Sequence, residues 1–236
     1  MLSSAPKWVG DLLEGFSTPV KVIEDTYITP QIKTIRFQGN ISRMDFQIGY
    51  AIVIRVSEKE FRNYTVAYHD TKAGILDIIF HIHGNGIGSR YIDELTMGDE
   101  LYISIPRGQK QYNANVKKHF IFGDETSLGL ACSFLPELKK NNHQFQYCFE
   151  LDECNKTAPK LLGLENYVVF TKNGSFQKEN WIAELPISNT PDWLTSNFIL
   201  TGNARSVQTF RRVLKDKKIS GKIFTKGFWL EGKTGL

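Results

Sequence analysis

Phe61-Arg62-Asn63-Tyr64-Thr65-Val66-Ala67-Tyr68 and His83-Gly84-Asn85-Gly86-Ile87-Gly88-Ser89-Arg90 are the two stretches that decide how this chain folds and what it holds. The first alternates as a β-strand does, and a second strand-like run, Ile75 to Ile82, separates it from the glycine-rich stretch. The glycines lead into a helix expected over Ser89 to Leu95. A guanidinium, a phenol, a hydroxyl and a glycine-lined helix start together suit a flavin dinucleotide. In that reading Arg62 grips the pyrophosphate as a bidentate donor. Tyr64 lies against the ring system and Thr65 hydrogen-bonds to its edge. The backbone N–H groups of Gly86 to Ser89, aimed by the helix dipole, make an anion seat. Glycine in this loop, at Gly84, Gly86 and Gly88, lets the backbone approach closely. Each half alone also reads as something ordinary, an exposed strand with a surface Arg or a hairpin loop rich in glycine. The order and spacing of the pair carry the information.

Outward from this centre, β-rich runs cover Val20 to Ile28, Ile32 to Phe37, Ala51 to Val56, Asn63 to Ala67, Leu76 to Ile82 and Leu101 to Ile105, most of them separated by Gly, Pro, Asn or Asp. Six strands with one intervening helix predict a closed antiparallel barrel, which removes exposed sheet edges. Ahead of it Trp8, Leu12, Leu13 and Phe16 stand at helical spacing, as in a short helix packed on the barrel. After Gly108 the texture changes, and polar, then basic Gln109 to Lys118 is the best candidate for a linker. Strands are then expected at His119 to Phe122, Gln144 to Glu150, Tyr167 to Phe170, Asn197 to Thr201 and Lys222 to Trp229. Helices alternate with them at Thr126 to Lys140, near Ala158 to Leu162, near Trp181 to Leu185 and at Arg205 to Lys217. That alternation predicts a parallel, doubly wound α/β sheet. The expected organisation is a barrel domain over residues 1–110 and an α/β domain over residues 111–236.

Ligands of doubly wound sheets sit at the carboxyl ends of the strands. Two such ends carry suitable groups. Gly123-Asp124-Glu125-Thr126 follows the first strand of the α/β half, with Thr126 placed to cap the next helix. Gly202-Asn203-Ala204-Arg205 opens another helix, with Arg205 placed to meet a phosphate. Gly123, Asp124, Glu125, Thr126, Gly202 and Arg205 are therefore the candidate electron-donor-binding residues; plain capping turns are the other reading. The α/β half lacks a Gly-x-Gly-x-x-Gly fingerprint, so the nucleotide expectation rests on the resemblance described below. Phe228 and Trp229 read either as a cover for the flavin ring or as core aromatics. His81 and His83 share a strand face, which suggests metal, but no third ligand stands at suitable spacing, so no metal is expected. No serine or cysteine sits in a nucleophile elbow, and no pair of carboxylates stands out for hydrolysis, so no catalytic side chain is assigned.

The bounds are ordinary for a soluble globular protein. A chain of 236 residues with 41% hydrophobic and 23% charged residues can build one large core or two modest ones. No window approaches the ~20 apolar residues of a membrane span, and the amino terminus lacks the pattern of a secretion signal. Three cysteines, Cys132, Cys148 and Cys154, read as free thiols of a reducing compartment, and cytoplasm is the expected location. A net charge of +4 is too mild to argue for nucleic acid, and the basic pairs read as solvated faces. A basic pocket for an anionic substrate, a dinucleotide or an acidic electron carrier is compatible with it.

The combination resembles the ferredoxin-reductase superfamily and, within it, the siderophore-interacting (ferric-siderophore reductase) family. Beyond the flavin stretches, Pro106-Arg107-Gly108 resembles that family's Pro-Arg-Gly at the end of the flavin barrel. Gly123-Asp124-Glu125-Thr126-Ser127-Leu128 resembles its Gly-Asp-Glu-Thr-Ala-Leu. Gly227-Phe228-Trp229-Leu230-Glu231-Gly232 resembles its carboxyl-terminal Gly-Tyr-Trp-Arg-x-Gly. Ile87-Gly88 departs from the usual Pro-Ala, and Leu230 replaces a usual arginine. The resemblance implies FAD as cofactor, with Arg62, Tyr64, Thr65, His81, His83, Gly84, Gly86, Gly88 and Ser89 around it and His83 at the flavin edge. It further implies electrons taken from NAD(P)H or reduced ferredoxin and passed singly to a ferric siderophore. The other functions kept open are a general NAD(P)H:flavin or ferredoxin oxidoreductase and a non-catalytic flavin-binding protein.

Overall fold

Along five of six strands residues two apart are buried, and these residues meet in one core: Val20 and Val22, Ile35 and Phe37, Ile52 and Ile54, Leu76, Ile78 and Phe80, Leu101 and Ile103. Period-two burial is what a sheet with one face inward requires. The strands are β1 (Thr18–Thr29), β2 (Ile32–Gly39), β3 (Ala51–Arg55), β4 (Phe61–Asp70), β5 (Ile75–His81) and β6 (Glu100–Ile103). They close into a barrel in the order β1-β2-β5-β4-β3-β6, with every pairing antiparallel. Register shifts in β1 and in β4, between Val66 and Tyr68, are the irregularities that let a sheet curve on itself. The expected barrel, its six strands and its single helix are all present. A computed structural model describes residues 18–189 and 193–233. The patch of Trp8, Leu12, Leu13 and Phe16, expected as a helix, lies outside the described residues.

The helix α1 (Ile87–Glu94) lies across the barrel core, burying Ile92, with Leu95 just beyond it. Its carboxyl end is held by a residue the pattern gave no reason to single out. Lys33, on β2 and 2% exposed, donates through Nζ to the carbonyls of Ile92 (3.3 Å), Asp93 (3.0 Å) and Leu95 (2.6 Å), and pairs with Asp25 at 3.7 Å. Those carbonyls have no partners within the helix, and a cation there also answers the negative end of the dipole. With its far end tied down, α1 presents a fixed amino end at Gly86.

The chain divides into two compact units, one ending at Lys110 and one beginning at Gln111. Residues 108–117 form neither helix nor strand, yet Gln111 is buried and the Tyr112 ring stacks on His119 at 5.6 Å. The second unit is a five-stranded parallel sheet of β7 (Lys118–Gly123), β8 (Gln144–Leu151), β9 (Tyr167–Thr171), β10 (Asn197–Asn203) and β11 (Ile223–Trp229), in the order β11-β10-β7-β8-β9. The chain enters at the central strand β7, builds outward to β9, then crosses back and continues through β10 to β11. The direction of winding therefore reverses between β7 and β10, the topological switch point where such sheets open a crevice. Phe120, Phe122, Phe198 and Leu200 pack on one face against α4 (Glu179–Glu184) and α6 (Ala204–Asp216), through Ile182, Val207 and Phe210. On β8 the Tyr147 ring stacks on Phe149 at 5.8 Å, and the Tyr147 hydroxyl donates to the Ala131 carbonyl of α2 (Leu128–Lys140) at 3.0 Å. The short helices α3 (Ala158–Leu161) and α5 (Pro186–Asn189) complete the connections.

Helix α6 begins at Ala204, and a 3-10 turn, Glu125–Ser127, precedes α2, so the expected boundaries hold to within a few residues. None of the three cysteines is in a disulfide, and burial pushes the Cys132 thiol up to about 12 and raises that of Cys148, so neither serves as a thiolate. Among the described residues no helix is long and apolar enough to cross a membrane.

Candidate functional site

In the barrel, β4 delivers Arg62 and Tyr64 to the same face because they are two residues apart, opposite Ile54 and Ile52 of β3. Thr65 falls on the other face by the same alternation, opposite Ala51. The Tyr64 ring meets Phe80 edge-on at 4.7 Å, and burial, tempered by the Arg62 charge, holds its phenol protonated well above the ordinary tyrosine range. The Arg62 guanidinium donates to the Phe61 carbonyl at 2.9 Å and to the Glu60 carboxylate at 3.1 Å. Gly88 in the first turn of α1 comes so near this pair that a Cβ there would stand 3.0 Å from Arg62 Cγ and 3.1 Å from the Tyr64 hydroxyl oxygen. A side chain at position 88 would fill the space beside the guanidinium. The absence of a side chain at Gly88 therefore keeps the cradle open.

The loop before α1 is shaped by its own groups. The Ser89 hydroxyl accepts the N–H groups of His83 (3.0 Å) and Gly84 (3.1 Å), and His83 Nδ1 accepts that of Asn85 at 3.2 Å. Ser89 is buried and acts on the loop, while an acceptor Nδ1 leaves the ring proton of exposed His83 on Nε2. The His81 and His83 rings lie 5.5 Å apart. The amino cap of α1 is Gly86, at φ +94°, a conformation that side chains resist, and no side chain caps the helix. An uncapped helix start beside a guanidinium and a half-buried aromatic ring is an arrangement whose chemistry suits an anion joined to a flat ring system. The structure thus gathers Arg62, Tyr64, His83, Gly84, Gly86, Gly88 and Ser89 in one region and turns Thr65 away.

At the switch point of the α/β unit the arrangement differs. Asp124 is fully buried, and every lone-pair direction of its carboxylate is engaged. Oδ1 accepts from the N–H (2.9 Å) and the hydroxyl of Thr126, and Oδ2 from the N–H of Asn203 (2.8 Å) and the indole of Trp229 (2.6 Å). The cap expected of Thr126 is supplied instead by Asp124, and Thr126 is one of its donors. Gly123 packs against Ser127, where a Cβ would collide at 2.2 Å. Asn203, which the pattern passed over, caps α6 by accepting from the N–H groups of Arg205 (2.9 Å) and Ser206 (3.3 Å). Asn before a helix was the available signal. Gly202, at φ +103°, lies against Asp124, and a Cβ there would come within 2.6 Å of the carboxylate. Arg205 is exposed at the start of α6.

Glu125, 1% exposed, accepts from the Asp152 N–H (2.6 Å) and Asn155 (3.3 Å) and pairs with Lys172. Burial lowers the Lys172 pKa, but Asp124, Glu125 and Asp152 outweigh it and the net direction is up. Its ammonium also stands 5.7 Å from the Trp229 ring centre. Glu150 at the end of β8 is 3% exposed; burial first, then nearby Asp124 and Glu125, push it up to about 7 against the pull of Ser206 and Lys172. Phe228 is half-buried, with Lys226 5.7 Å from its ring centre.

Known proteins give this geometry a context. Residues 19–112 match the family model described as the oxidoreductase FAD-binding domain. Over 74 residues the chain is 32% identical to NADH-cytochrome b5 reductase 1 of Dictyostelium discoideum, a match covering 30% of this chain and 26% of that longer protein. A siderophore utilization protein from T. fusca superposes with a TM-score of 0.73 at 22% identity, over 93% of this chain and 95% of that one. A ferredoxin-NADP+ reductase from Plasmodium falciparum does so with a TM-score of 0.71 at 14% identity, over 91% and 97%. The first unit of this chain is thus similar to an oxidoreductase FAD-binding domain, and the chain is similar in fold to the siderophore utilization protein and the ferredoxin-NADP+ reductase.

Proposed function

We propose that the protein is an FAD-dependent reductase that takes electrons from NAD(P)H and passes them one at a time to a ferric siderophore, releasing its iron. The observation that carries the cofactor is the cradle of Arg62, Tyr64 and the uncapped start of α1 at Gly86, within the stretch that matches the FAD-binding domain. Arg62 binds the pyrophosphate as a charge-assisted donor, and the N–H groups from Gly86 onward share the same anion. Tyr64, kept neutral by burial, offers a ring face without a charge, and His83 offers its Nε2 proton at the edge. FAD bound there supplies the conversion of a two-electron donor into single-electron steps. Arg205, exposed beside the capped start of α6 at the switch point, would meet a phosphate of NAD(P)H.

The ferric siderophore is supported by the T. fusca protein, which this chain matches over nearly the whole length of both, and by the three motifs quoted above from beyond the flavin stretches. Iron(II) suits hard oxygen donors less well than iron(III), so reduction alone loosens the chelate and the chain need supply no iron ligand. A second reading, a general NAD(P)H-dependent reductase serving a protein electron carrier, is favoured by the identity with the cytochrome b5 reductase. Anaerobic steady-state reduction of a ferric hydroxamate or catecholate, with NADH, NADPH and reduced ferredoxin compared, separates the two. Rapid chelate reduction with a pyridine nucleotide supports the first reading. Turnover of small flavin or protein acceptors with no chelate reduction overturns it.

A further inference from the structure

Asp124 carries more of the switch point than any other residue, and it does so without facing solvent. Its carboxylate accepts from Thr126 after β7, from Asn203 at the end of β10 and from Trp229 at the end of β11. One buried anion therefore ties together the strand ends on both sides of the reversal in winding. The contact with Trp229 spans 105 positions of sequence, and its 2.6 Å length is that of a strong charge-assisted bond. Two further features serve the same carboxylate. Gly202 lacks a Cβ where one would collide with it, and Lys172, near the Trp229 ring, supplies a compensating charge. A carboxylate with four donors has no capacity left for a nucleotide hydroxyl or amide. An exposed ligand-binding Asp would keep part of that capacity open.

We propose that Asp124 is a positioning residue: it fixes the Trp229 indole as a wall of the switch-point crevice, and the donor nucleotide binds against that wall and not to Asp124. The proposal rests on the reading of the α/β unit as the NAD(P)H site. Replacing the acid by Asn removes the charge and leaves one acceptor oxygen for four donors while the volume is kept, so the bond to the indole N–H is weakened or lost. Phe at position 229 keeps a ring and removes the N–H.

The test is a double-mutant cycle on the flavin-loaded protein, with NADH or NADPH as donor and ferricyanide as acceptor. Asp124→Asn is expected to raise the KM for the nucleotide about tenfold while kcat stays within about twofold. Trp229→Phe is expected to do the same. In the Trp229→Phe background, Asp124→Asn should add less than about twofold, because its route of action is already gone. Equal effects of Asp124→Asn in both backgrounds, or a KM unmoved by Trp229→Phe, overturn the proposal. The second variant decides the matter should the first fail to fold. An independent arm needs no nucleotide. Trp229 is one of four tryptophans, so the emission spectrum of the wild type minus that of Trp229→Phe isolates it. Asp124→Asn should change that difference spectrum, and an unchanged spectrum overturns the fixing of the indole. If the wild type oxidises neither NADH nor NADPH, the donor reading and the nucleotide seat fall together, while the emission arm still decides whether Asp124 holds Trp229.

Discussion

At Gly86 the barrel begins a helix that no side chain caps, whereas in the α/β unit Asp124 and Asn203 fold a carboxylate and an amide onto the first N–H groups of the turns they open. The same physical resource, unpaired N–H groups at a helix start, is left open in one unit and used up in the other. An open, exposed start is met by water in the free protein and gains a stronger partner when an anion arrives. A capped start is stable at all times and offers a ligand little beyond what flanks it, here Arg205. The contrast teaches that a tightly held cofactor and a diffusing donor ask for different sites. On the proposed reading the cofactor is bound through the backbone, whereas a nucleotide that must leave after each turnover meets a surface side chain beside a preformed wall.

The largest expected effect breaks the open side. Arg62→Ala removes the charged half of the cradle and should weaken FAD binding by about 3 kcal/mol, roughly a hundredfold in Kd. Titration of the apoprotein with FAD, followed by flavin fluorescence, measures it. An unchanged Kd would mean that Arg62 serves only its contacts to Glu60 and Phe61, and the comparison would lose its first member.

Much of this was legible in the sequence, because strands and helices that bury one face must repeat at their own period. The barrel strands β2 and β3 and the helix α6 fall close to where alternation and turn residues put them. What the pattern could not show are contacts between residues far apart. Lys33 reads as a polar interruption of β2, and only the path of α1 over the barrel makes it a cap for that helix. Asp124 reads as a helix-start acid open to a ligand; its burial depends on β11 returning Trp229 from 105 positions away. Thr65 joins Arg62 and Tyr64 in a motif because motif reading ignores the alternation that turns it to the opposite face.

Lys33→Met should sharpen the contrast from the far end of α1. It leaves three helix carbonyls with no donor and should cost about 1–3 kcal/mol of barrel stability. Urea unfolding with a barrel-specific probe such as bound flavin reports it. If stability falls while FAD affinity per folded molecule is kept, α1 is merely anchored by Lys33; if both fall, the anchoring orients the cradle.

Within the α/β unit a comparison of its two sheet ends gives a pH test. The carboxyl end satisfies Asp124 and Glu125 fully, while at the amino end the buried rings of His119 and His143 stack at 5.2 Å, with His119 Nδ1 lacking a hydrogen-bond partner. Burial, against a bond to the Val116 carbonyl, pushes His119 down from 6.5 to about 4, and burial with the Lys117 charge lowers His143. The neutral form is favoured in the fold, so the unfolded chain binds more protons between these values. The stability that His119 contributes is therefore complete above pH 6.5 and is lost as the pH falls toward 4, by on the order of 3 kcal/mol. Glu150, raised to about 7, contributes with the opposite sign over the same range, so the His119 part is read as a difference: in chemical denaturation across about pH 4–7, His119→Phe should lose less stability on acidification than the wild type. Equal slopes would place the acid sensitivity elsewhere.

On the capped side, Arg205→Ala should cost only about 1 kcal/mol, seen as a severalfold rise in the KM for NAD(P)H with FAD content unchanged, because an exposed guanidinium is screened by water. A loss as large as that of Arg62→Ala would mean that the start of α6 is an open seat after all, and the contrast between the units would collapse.

The smallest effect tests whether the open cradle is fully open. Glu60 holds the Arg62 guanidinium at 3.1 Å, and both side chains are partly exposed. An ion pair of this kind contributes little to stability, about 0.2–1 kcal/mol, but it opposes FAD directly, since the pyrophosphate must share or displace the carboxylate. It also aims the guanidinium before the ligand arrives, which saves ordering entropy on binding. The two effects have opposite signs, and Glu60→Gln separates them. The amide keeps an oxygen that accepts from Arg62 and loses the charge that competes with phosphate. FAD binding to Glu60→Gln should therefore tighten by about 0.5 kcal/mol, with the gain shrinking as ionic strength rises. Weaker binding would instead mean that the charge on Glu60 is what holds Arg62 in place, making the cradle a three-residue device in which the acid, no less than the arginine, belongs to the site.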